Sequence, residues 1–281
     1  MVKVIFFGSD KYSEIVLDAI KKDSRFRIIK IKNTADVGVL ASYGKILPKE
    51  ILNIPKQGIL NIHPSLLPKY RGPSPVQTAI SNGEKKTGVS IIKIDKKVDH
   101  GPIVAQFEED IRPDDTAGTL YFRLFQEGTK VLLTILPAYL EGRIKLRQQD
   151  HSQATFTKLL KKDDGFISPE VLGIIAPKRG STSKYKLGPS NLEPTPENLE
   201  RFIRAMNPWP GAWTEIRMTG DSPPRFAERG RGKQKTVKRL KVLKAHLENN
   251  KLVLDQVQLE GKKPVSWEQF KQGYPEAKFV S

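Results

Sequence analysis

The sequence predicts an α/β protein that carries a smaller, β-rich region at its C-terminal end. Three observations support this. Apolar strand-like segments alternate with amphipathic helical segments over roughly the first 160 residues. A proline-rich stretch follows, and after it period-two apolar segments predict strands. We therefore expect a first domain over 1–162, a linker over 163–199 and a second domain over 200–281.

Composition excludes several kinds of site. The 281 residues contain no cysteine, so disulfides, thiolate metal sites and cysteine nucleophiles are excluded. The net charge of +17 favours a polyanionic partner, nucleic acid first, although a lysine-rich surface is the alternative. No apolar run reaches the roughly 18 residues of a membrane span, and the first residues lack the pattern of a secretory signal. We expect no membrane association.

The elements of the first domain follow in order. VKVIFF predicts a strand, and the helical spacing of apolar residues after it predicts a helix with Ser9 or Asp10 as its N-cap. The later segments predict strands at RFRIIKIK, DVGVLAS, GILNIH, GVSIIKID and GPIVAQFEED, and helices at ILPKEILNI, SPVQTAISNG and DDTAGTLYFRLFQEGTKVLLTILPAYLEG.

The connection between the second and third strand candidates is unusually short. Only Asn33, Thr34 and Ala35 separate them. Parallel neighbours need a crossover of about a dozen residues or more. The sequence therefore predicts that these segments are not both full parallel strands of one sheet.

The second domain contains the most basic segment of the chain. A helix is predicted from Pro196 through Met206, and strands at WTEIRM, KRLKVLKAHL and KLVLDQVQLEG. The segment RFAERGRGKQKTVKRLK carries eight basic residues and one acid, which predicts an exposed loop. The candidate nucleic-acid contacts in it are Arg229, Arg231, Lys233 and Lys235.

The sharpest local signal is GILNIHPSLLPKYRGPSP. Side chains two apart on a strand face the same side, so Asn61 and His63 point together. Pro64 ends the strand directly after them. Ligands of open α/β sheets bind at the carboxyl ends of strands, so both side chains would face a crevice. The alternative is a hydrogen-bonded histidine that caps a strand end.

A carboxylate partner is available in the loop KIDKKVDHG. If this loop folds over the same edge, one of its two aspartates, Asp95 or Asp99, would orient the imidazole, whereas the alternative is that both are ordinary turn residues. An amide, an imidazole and a carboxylate together suit acyl transfer. No spacing indicates a metal site, and Ser65 lacks the context of a nucleophile elbow.

The run LASYGKILPKEIL…GILNIHPSLLPKYRGPSPVQTAI…TGVSIIKID…VDHGPIVAQ resembles the formyltransferase family that uses 10-formyltetrahydrofolate. The segments DDTAGTLYFRL, QATFTKLLKKDDGFI and IRAMNPWPGAWT are similar to its branch that acts on methionyl-tRNA. The resemblance covers most of 2–165 and 197–281.

The resemblance implies a Rossmann-like catalytic domain followed by a small OB-like β-barrel that binds tRNA. It implies formyl transfer from 10-formyltetrahydrofolate to the α-amine of initiator methionyl-tRNA, by a cytoplasmic monomer that uses no metal. Asn61, His63 and Asp99 match the catalytic motif and would stabilise a tetrahedral oxyanion. The residues that match folate-binding segments are Ser65, Leu66, Leu67, Pro68, Tyr43 and Gly44.

Two features depart from the family pattern. The family has a longer connection where this chain has 33–35, and the C-terminal region is short for a complete barrel. Rival functions are a phosphoribosylglycinamide formyltransferase, another formyl-folate enzyme and a non-catalytic RNA-binding protein. The NPWPGAWT region and the basic C-terminal segment argue against the first, and the retained Asn61, His63 and Asp99 argue against the last.

Overall fold

The computed structural model describes residues 1–31, 34–172, 186–219 and 235–279. The chain divides into two compact units: Met1–Ala79 with Glu84–Leu159, and Ile80–Gly83 with Leu160–Ser281. The elements that begin in the first unit are β1 Val2–Phe7, α1 Lys11–Lys22, β2 Phe26–Ile28, β3 Val37–Ala41, α2 Lys49–Leu52, β4 Ile59–His63, α3 Pro75–Ser81, β5 Lys86–Lys93, β6 Ile103–Asp110 and α4 Ala117–Leu140.

The first unit is built on a six-stranded sheet of order β2-β1-β3-β4-β5-β6. The pairs among β2, β1, β3 and β4 are parallel, whereas β5 is antiparallel to both of its neighbours. This mixed sheet with helices confirms the predicted α/β class. Asp10 is the N-cap of α1, since its side chain accepts from the backbone N–H groups of Tyr12 and Ser13.

Helix α4 lies against the centre of this sheet because a glycine permits close approach. A Cβ placed on Gly128 would come within 3.0 Å of Ile62 and 3.1 Å of Val89. Ile62 on β4 therefore faces α4. Because strand side chains alternate, its neighbours Asn61 and His63 face the opposite side of the sheet.

The second and third strand candidates are not both full strands, as the short connection predicts, because only Phe26–Ile28 of RFRIIKIK forms β2. Both are parallel to β1 and lie on either side of it, so they are not neighbours in the sheet. The strand β2 pairs with Val2 to Val4 and β3 pairs with Val4 to Phe7, so each occupies about half of β1. The end of β2 and the start of β3 both pair with Val4. The connection therefore has only to pass across β1 and need not run back along its length. Two strand spacings, roughly 10 Å, are within reach of residues 29–36.

The second unit is built on a five-stranded antiparallel sheet of order β10-β9-β8-β7-β11. A helix packs against it and buries Leu199, Phe202, Ile203 and Met206. This helix has Thr195 as its N-cap, as the sequence predicts for a start at Pro196. The elements are α5 Pro196–Met206, β7 Ala212–Thr219, β8 Lys235–Glu248, β9 Lys251–Leu259, β10 Val265–Ser266, α6 Trp267–Gly273 and β11 Lys278–Phe279.

The antiparallel C-terminal sheet agrees with the predicted β-rich second domain. Its closure into an OB-like barrel stays a prediction, as do the domain limits at 162 and 200. Among the described residues, no helix combines the length and hydropathy that a bilayer span requires.

Candidate active site

The end of β4 presents the two polar side chains that the sequence singles out. Asn61 and His63 are 7% and 4% exposed, so neither is an ordinary surface residue. The Asn61 Nδ2 group donates to Asp99 Oδ1 over 3.2 Å. His63 Nδ1 lies 3.5 Å from Asp99 Oδ2. The structure thus brings together the amide, the imidazole and the carboxylate that lie far apart in sequence.

The segment that follows the strand holds the imidazole and the carboxylate in place. His63 Nε2 donates to the backbone oxygen of Tyr70 over 2.9 Å, and a carbonyl can only accept, so this nitrogen carries a proton. The backbone N–H of Gly72 donates to Asp99 Oδ2 over 2.8 Å. Gly72 has φ of +102°, and a Cβ there would lie 2.9 Å from the Thr157 carbonyl oxygen.

A second layer of polar side chains lies behind Asp99. Arg71 donates to the Gln149 side-chain oxygen, and its Nη2 lies 2.8 Å from His151 Nδ1. The His151 ring stacks on His100 at a centroid distance of 3.9 Å, and His100 Nδ1 lies 2.6 Å from Asp95 Oδ2. Asp95 therefore pairs with a histidine of its own loop.

Burial and charge shift two pKa values in this layer. Burial lowers the pKa of the Arg71 guanidinium, against the opposing effect of the Asp99 and Asp95 carboxylates. Loss of solvent contact, and then the nearby His100 and Arg71, lower the pKa of the His151 imidazole. A neutral His151 is the form whose Nδ1 accepts a hydrogen bond from Arg71.

The Ser65 to Pro68 turn is fastened to the β5–β6 hairpin. The Ser90 hydroxyl donates to the Ser65 carbonyl oxygen over 2.7 Å and accepts from the Leu67 N–H over 3.0 Å. Ser65 and Leu67 are 1% and 2% exposed, whereas Leu66 and Pro68 are half-buried. Within this turn, only Leu66 and Pro68 therefore have side chains exposed enough to contact a ligand.

The loop after β3 lies at the same edge of the sheet as His63, since β3 and β4 are parallel neighbours. Tyr43 is half-buried and packs edge-on against Phe7 at 5.7 Å between ring centroids. Gly44 is exposed and has φ of +69°. Ser9 Oγ donates to the Ser42 and Tyr43 carbonyl oxygens, so the turn after β1 supports this loop.

A cavity of about 430 Å³ lies beside the loop that carries Asp99. Four lysines contribute to its lining, together with apolar and polar residues from α2, from the start of β4 and from the end of β5. The lining residues are Lys49, Leu52, Asn53, Pro55, Lys56, Gly58, Lys93, Ile94, Asp95 and Lys96. The sequence reasoning missed this cavity because its lysines come from two separate segments.

The remaining predicted residues lie in or beside the basic segment. Arg229, Arg231 and Lys233 lie outside the described residues, and Lys235 opens β8 without a described side chain. Nothing in the structure tests their role. In the part of the chain that the structure describes, no group of three or more His, Asp or Glu side chains is arranged to hold a metal ion.

Comparison with known proteins then gives the family. Residues 18–136 match the formyl transferase family, and residues 191–275 match the formyl transferase C-terminal domain. A methionyl-tRNA formyltransferase of Dictyoglomus thermophilum is 36% identical over 257 residues, which cover 89% of this chain and 75% of that protein. The chain belongs to the formyl transferase family.

Other relatives of this formyl transferase match a smaller part of it. A methionyl-tRNA formyltransferase of Chloroflexus aggregans is 46% identical over 179 residues, 64% of this chain and 50% of that protein. The chain spans about half the length of the first curated relatives it matches. A solved methionyl-tRNA formyltransferase from Clostridium thermocellum shares the fold, with a TM-score of 0.60 and 20% identity over 92% of this chain and 99% of that chain.

Proposed function

We propose that this formyl transferase moves a formyl group from 10-formyltetrahydrofolate to the α-amine of initiator methionyl-tRNA, as a monomer in the cytoplasm. The observation that carries the proposal is that Asn61 and His63, at the end of one strand, both lie within 3.5 Å of the Asp99 carboxylate. The curated relatives, which are named methionyl-tRNA formyltransferases, support the choice of acceptor.

The three side chains have distinct roles in the proposed reaction. The amine nitrogen attacks the formyl carbon and forms the new C–N bond, while the carbonyl oxygen gains negative charge. Asn61 Nδ2 and an N–H of the His63 ring donate to that oxygen. Asp99 accepts the proton that the attacking amine loses. The bond between the formyl carbon and N10 then breaks, Asp99 passes this proton to N10, and tetrahydrofolate leaves.

The hydrogen bonds of Asn61 and His63 must rearrange for this chemistry. Asn61 Nδ2 donates to Asp99, and His63 Nε2 donates to the Tyr70 carbonyl oxygen, so both donors are already engaged. Catalytic hydrogen bonds often reach their working geometry only when substrate is bound. We therefore infer that donor binding turns the Asn61 amide from Asp99 towards the formyl oxygen.

The loops beside these residues offer the donor a binding surface. The Ser65 to Pro68 turn follows β4 directly, and the loop after β3 lies at the same edge of the sheet. We propose that Tyr43, Leu66 and Pro68 contact the ring system of the folate, while the buried Ser65 and Leu67 keep the turn in shape.

A transfer assay tests the proposal. Purified protein is supplied with 10-formyltetrahydrofolate and, in separate reactions, methionyl initiator tRNA, glycinamide ribonucleotide or an amino-sugar nucleotide. We expect formylated methionyl-tRNA alone. His63→Ala should abolish turnover and leave tRNA affinity nearly unchanged, because it removes a donor to the oxyanion and no phosphate contact.

His246→Ala is the matched control, since this exposed histidine pairs with Asp255 on the C-terminal sheet. It should keep full turnover. Formylation of another acceptor would replace the proposed substrate, and no formylation at all would overturn the function. Equal loss of turnover and affinity in His63→Ala would assign His63 to folding or binding instead.

A further inference from the structure

Two buried polar side chains behind Asp99 have no part in the reaction described above. Arg71 is 3% exposed and Gln149 is 5% exposed. Arg71 Nη2 and Nε donate to the Gln149 side-chain oxygen over 2.6 Å and 3.2 Å. The Gln149 Nε2 group donates in turn to the backbone oxygens of Asp99 and Gly101 over 2.9 Å and 2.7 Å. Both the oxygen and the NH₂ group of the Gln149 amide are thus hydrogen-bonded.

These hydrogen bonds and the contact between His63 and Asp99 connect the candidate active-site residues in a closed ring. Tyr70 accepts from His63, and Gly72 donates to the Asp99 carboxylate, so the segment 70–72 touches both catalytic candidates. Between them, the Arg71 side chain reaches Gln149, which holds the backbone of Asp99. The His63 and Asp99 side chains then face each other across 3.5 Å and complete the ring.

The backbone of Asp99 has an uncommon conformation that these hydrogen bonds hold. Asp99 has φ of +46°, in the left-handed region that residues with a Cβ adopt uncommonly, although aspartate tolerates it better than most. It also lies between the ends of β5 and β6, outside the regular sheet. A primary amide suits the position because its NH₂ group reaches two carbonyl oxygens while its own oxygen accepts from a guanidinium.

We propose that Gln149, itself oriented by Arg71, is the positioning residue that holds Asp99 against Asn61 and His63. The kinetic part of this inference rests on the proposed formyl transfer, whereas its structural part does not. Gln149 acts through Asp99 and does not touch the reacting atoms. Its removal therefore matters only as long as Asp99 is present.

Gln149→Glu tests the kinetic part. It preserves the size and the acceptor for Arg71 but loses both N–H donors, so a carboxylate would face two carbonyl oxygens. Gln149→Met removes the same donors without adding charge. We expect kcat for formyl transfer to fall about 10- to 100-fold in both, with little change in KM for methionyl-tRNA. Gln153→Glu, at an exposed glutamine of the same segment, should keep full activity.

A double-mutant cycle separates positioning from general stability. In an Asp99→Ala background, Gln149→Met should cause no further loss of kcat, because the group it positions is gone. An equal loss in both backgrounds would overturn the inference and assign Gln149 a structural role.

Crystal structures decide the inference even if the protein transfers no formyl group, an outcome that would refute only the proposed function. In Gln149→Met we expect residue 99 to leave the left-handed region and the Asn61–Asp99 hydrogen bond to break, while β4 stays in place. An unchanged Asp99 in that variant would overturn the positioning role.

Discussion

At the scale of single residues, the candidate site depends on one primary amide at the right place. Asn61→Asp keeps the shape but loses the Nδ2–H donor and brings a second carboxylate to within about 3.2 Å of Asp99 Oδ1. We expect kcat for formyl transfer to fall about 10²- to 10³-fold. Steady-state kinetics with saturating tRNA measure this.

Asn249→Asp is the matched control for that variant. Asn249 lies in the exposed turn between β8 and β9 with φ of +49°, a conformation that aspartate also tolerates. It should keep wild-type turnover. If Asn61→Asp also kept it, the Asn61 amide would have no part in stabilising the oxyanion.

The same residues show how far sequence reasoning reaches. Asn61 and His63 could be predicted because a two-residue period and a following proline place them on one face at a strand end. Their proximity to Asp99 could be predicted only on the condition that the loop folds over this strand end. That fold requires a left-handed backbone at Asp99, in an irregular loop. The sequence around Gln149 does not indicate its role. Only in the folded chain is its side chain buried against the carbonyl oxygen of Asp99, about 50 residues away in sequence.

At the scale of elements, a charged cluster fastens the start of α4 to β6. The Asp115 carboxylate accepts from Arg123 Nη1 and Nη2, from the Arg112 N–H and from Thr119 Oγ1. Arg123 also donates to Glu109 on β6 over 2.7 Å. Burial alone raises the pKa of Asp115, but the hydrogen bonds from Arg123, Arg112 and Thr119 outweigh it and hold the pKa below the usual value.

Asp115→Asn should therefore destabilise the protein in a pH-dependent way. A depressed pKa means that the carboxylate contributes its full stability above the ordinary aspartate value of 3.8, and loses it as the pH falls further. We expect a loss of about 1–3 kcal/mol at pH 7 because the variant leaves the partly buried Arg123 ion-paired, among the described residues, with Glu109 alone. Urea unfolding at a series of pH values measures it.

The difference from wild type should stay constant down to about pH 4 and shrink below it. Asp18→Asn, on α1 where no ion pair of Asp18 is seen among the described residues, is the control and should change stability by less than about 0.5 kcal/mol. A difference that did not depend on pH would mean that Asp115 acts through packing rather than charge.

The periodicity of apolar residues predicts which segments are helices and which are strands, but it does not predict how β2 and β3 are connected. The alternation of apolar residues predicts β4, β5 and β6 and, in the second unit, β7, β8 and β9, but not the two-residue strands β10 and β11. The crossover rule indicates that β2 and β3 cannot both be full strands, and β2 has only three residues, but the rule does not say which strand is shortened. Nothing in RFRIIKIK indicates that only Phe26–Ile28 would pair with β1.

At the scale of the whole molecule, the charge of +17 predicts how the acceptor binds. Each phosphate contact from lysine or arginine releases counterions, so tRNA affinity should fall steeply, about 10³-fold or more between 50 mM and 200 mM salt. Replacing Arg229, Arg231 and Lys233 with alanine should weaken binding and flatten this dependence. Filter binding at several salt concentrations measures both effects.

Replacing Lys21, Lys22 and Lys30 with alanine removes the same charge from exposed positions of the first unit. This control should leave tRNA affinity nearly unchanged. Equal weakening by the two triple variants would indicate that overall charge alone draws the tRNA. A flat salt response of the wild type would argue against a tRNA substrate.

The shared strand β1 has a consequence for the evolution of this sheet. Because β2 ends and β3 begins at the level of Val4, the junction between them fixes no register. Extra residues inserted there would lengthen a loop, and each doubling of a loop adds only about 0.6 kcal/mol of closure entropy. The connection between β2 and β3 is thus a position where a longer segment can be inserted or removed without a change in the pairing of β1, β3 and β4.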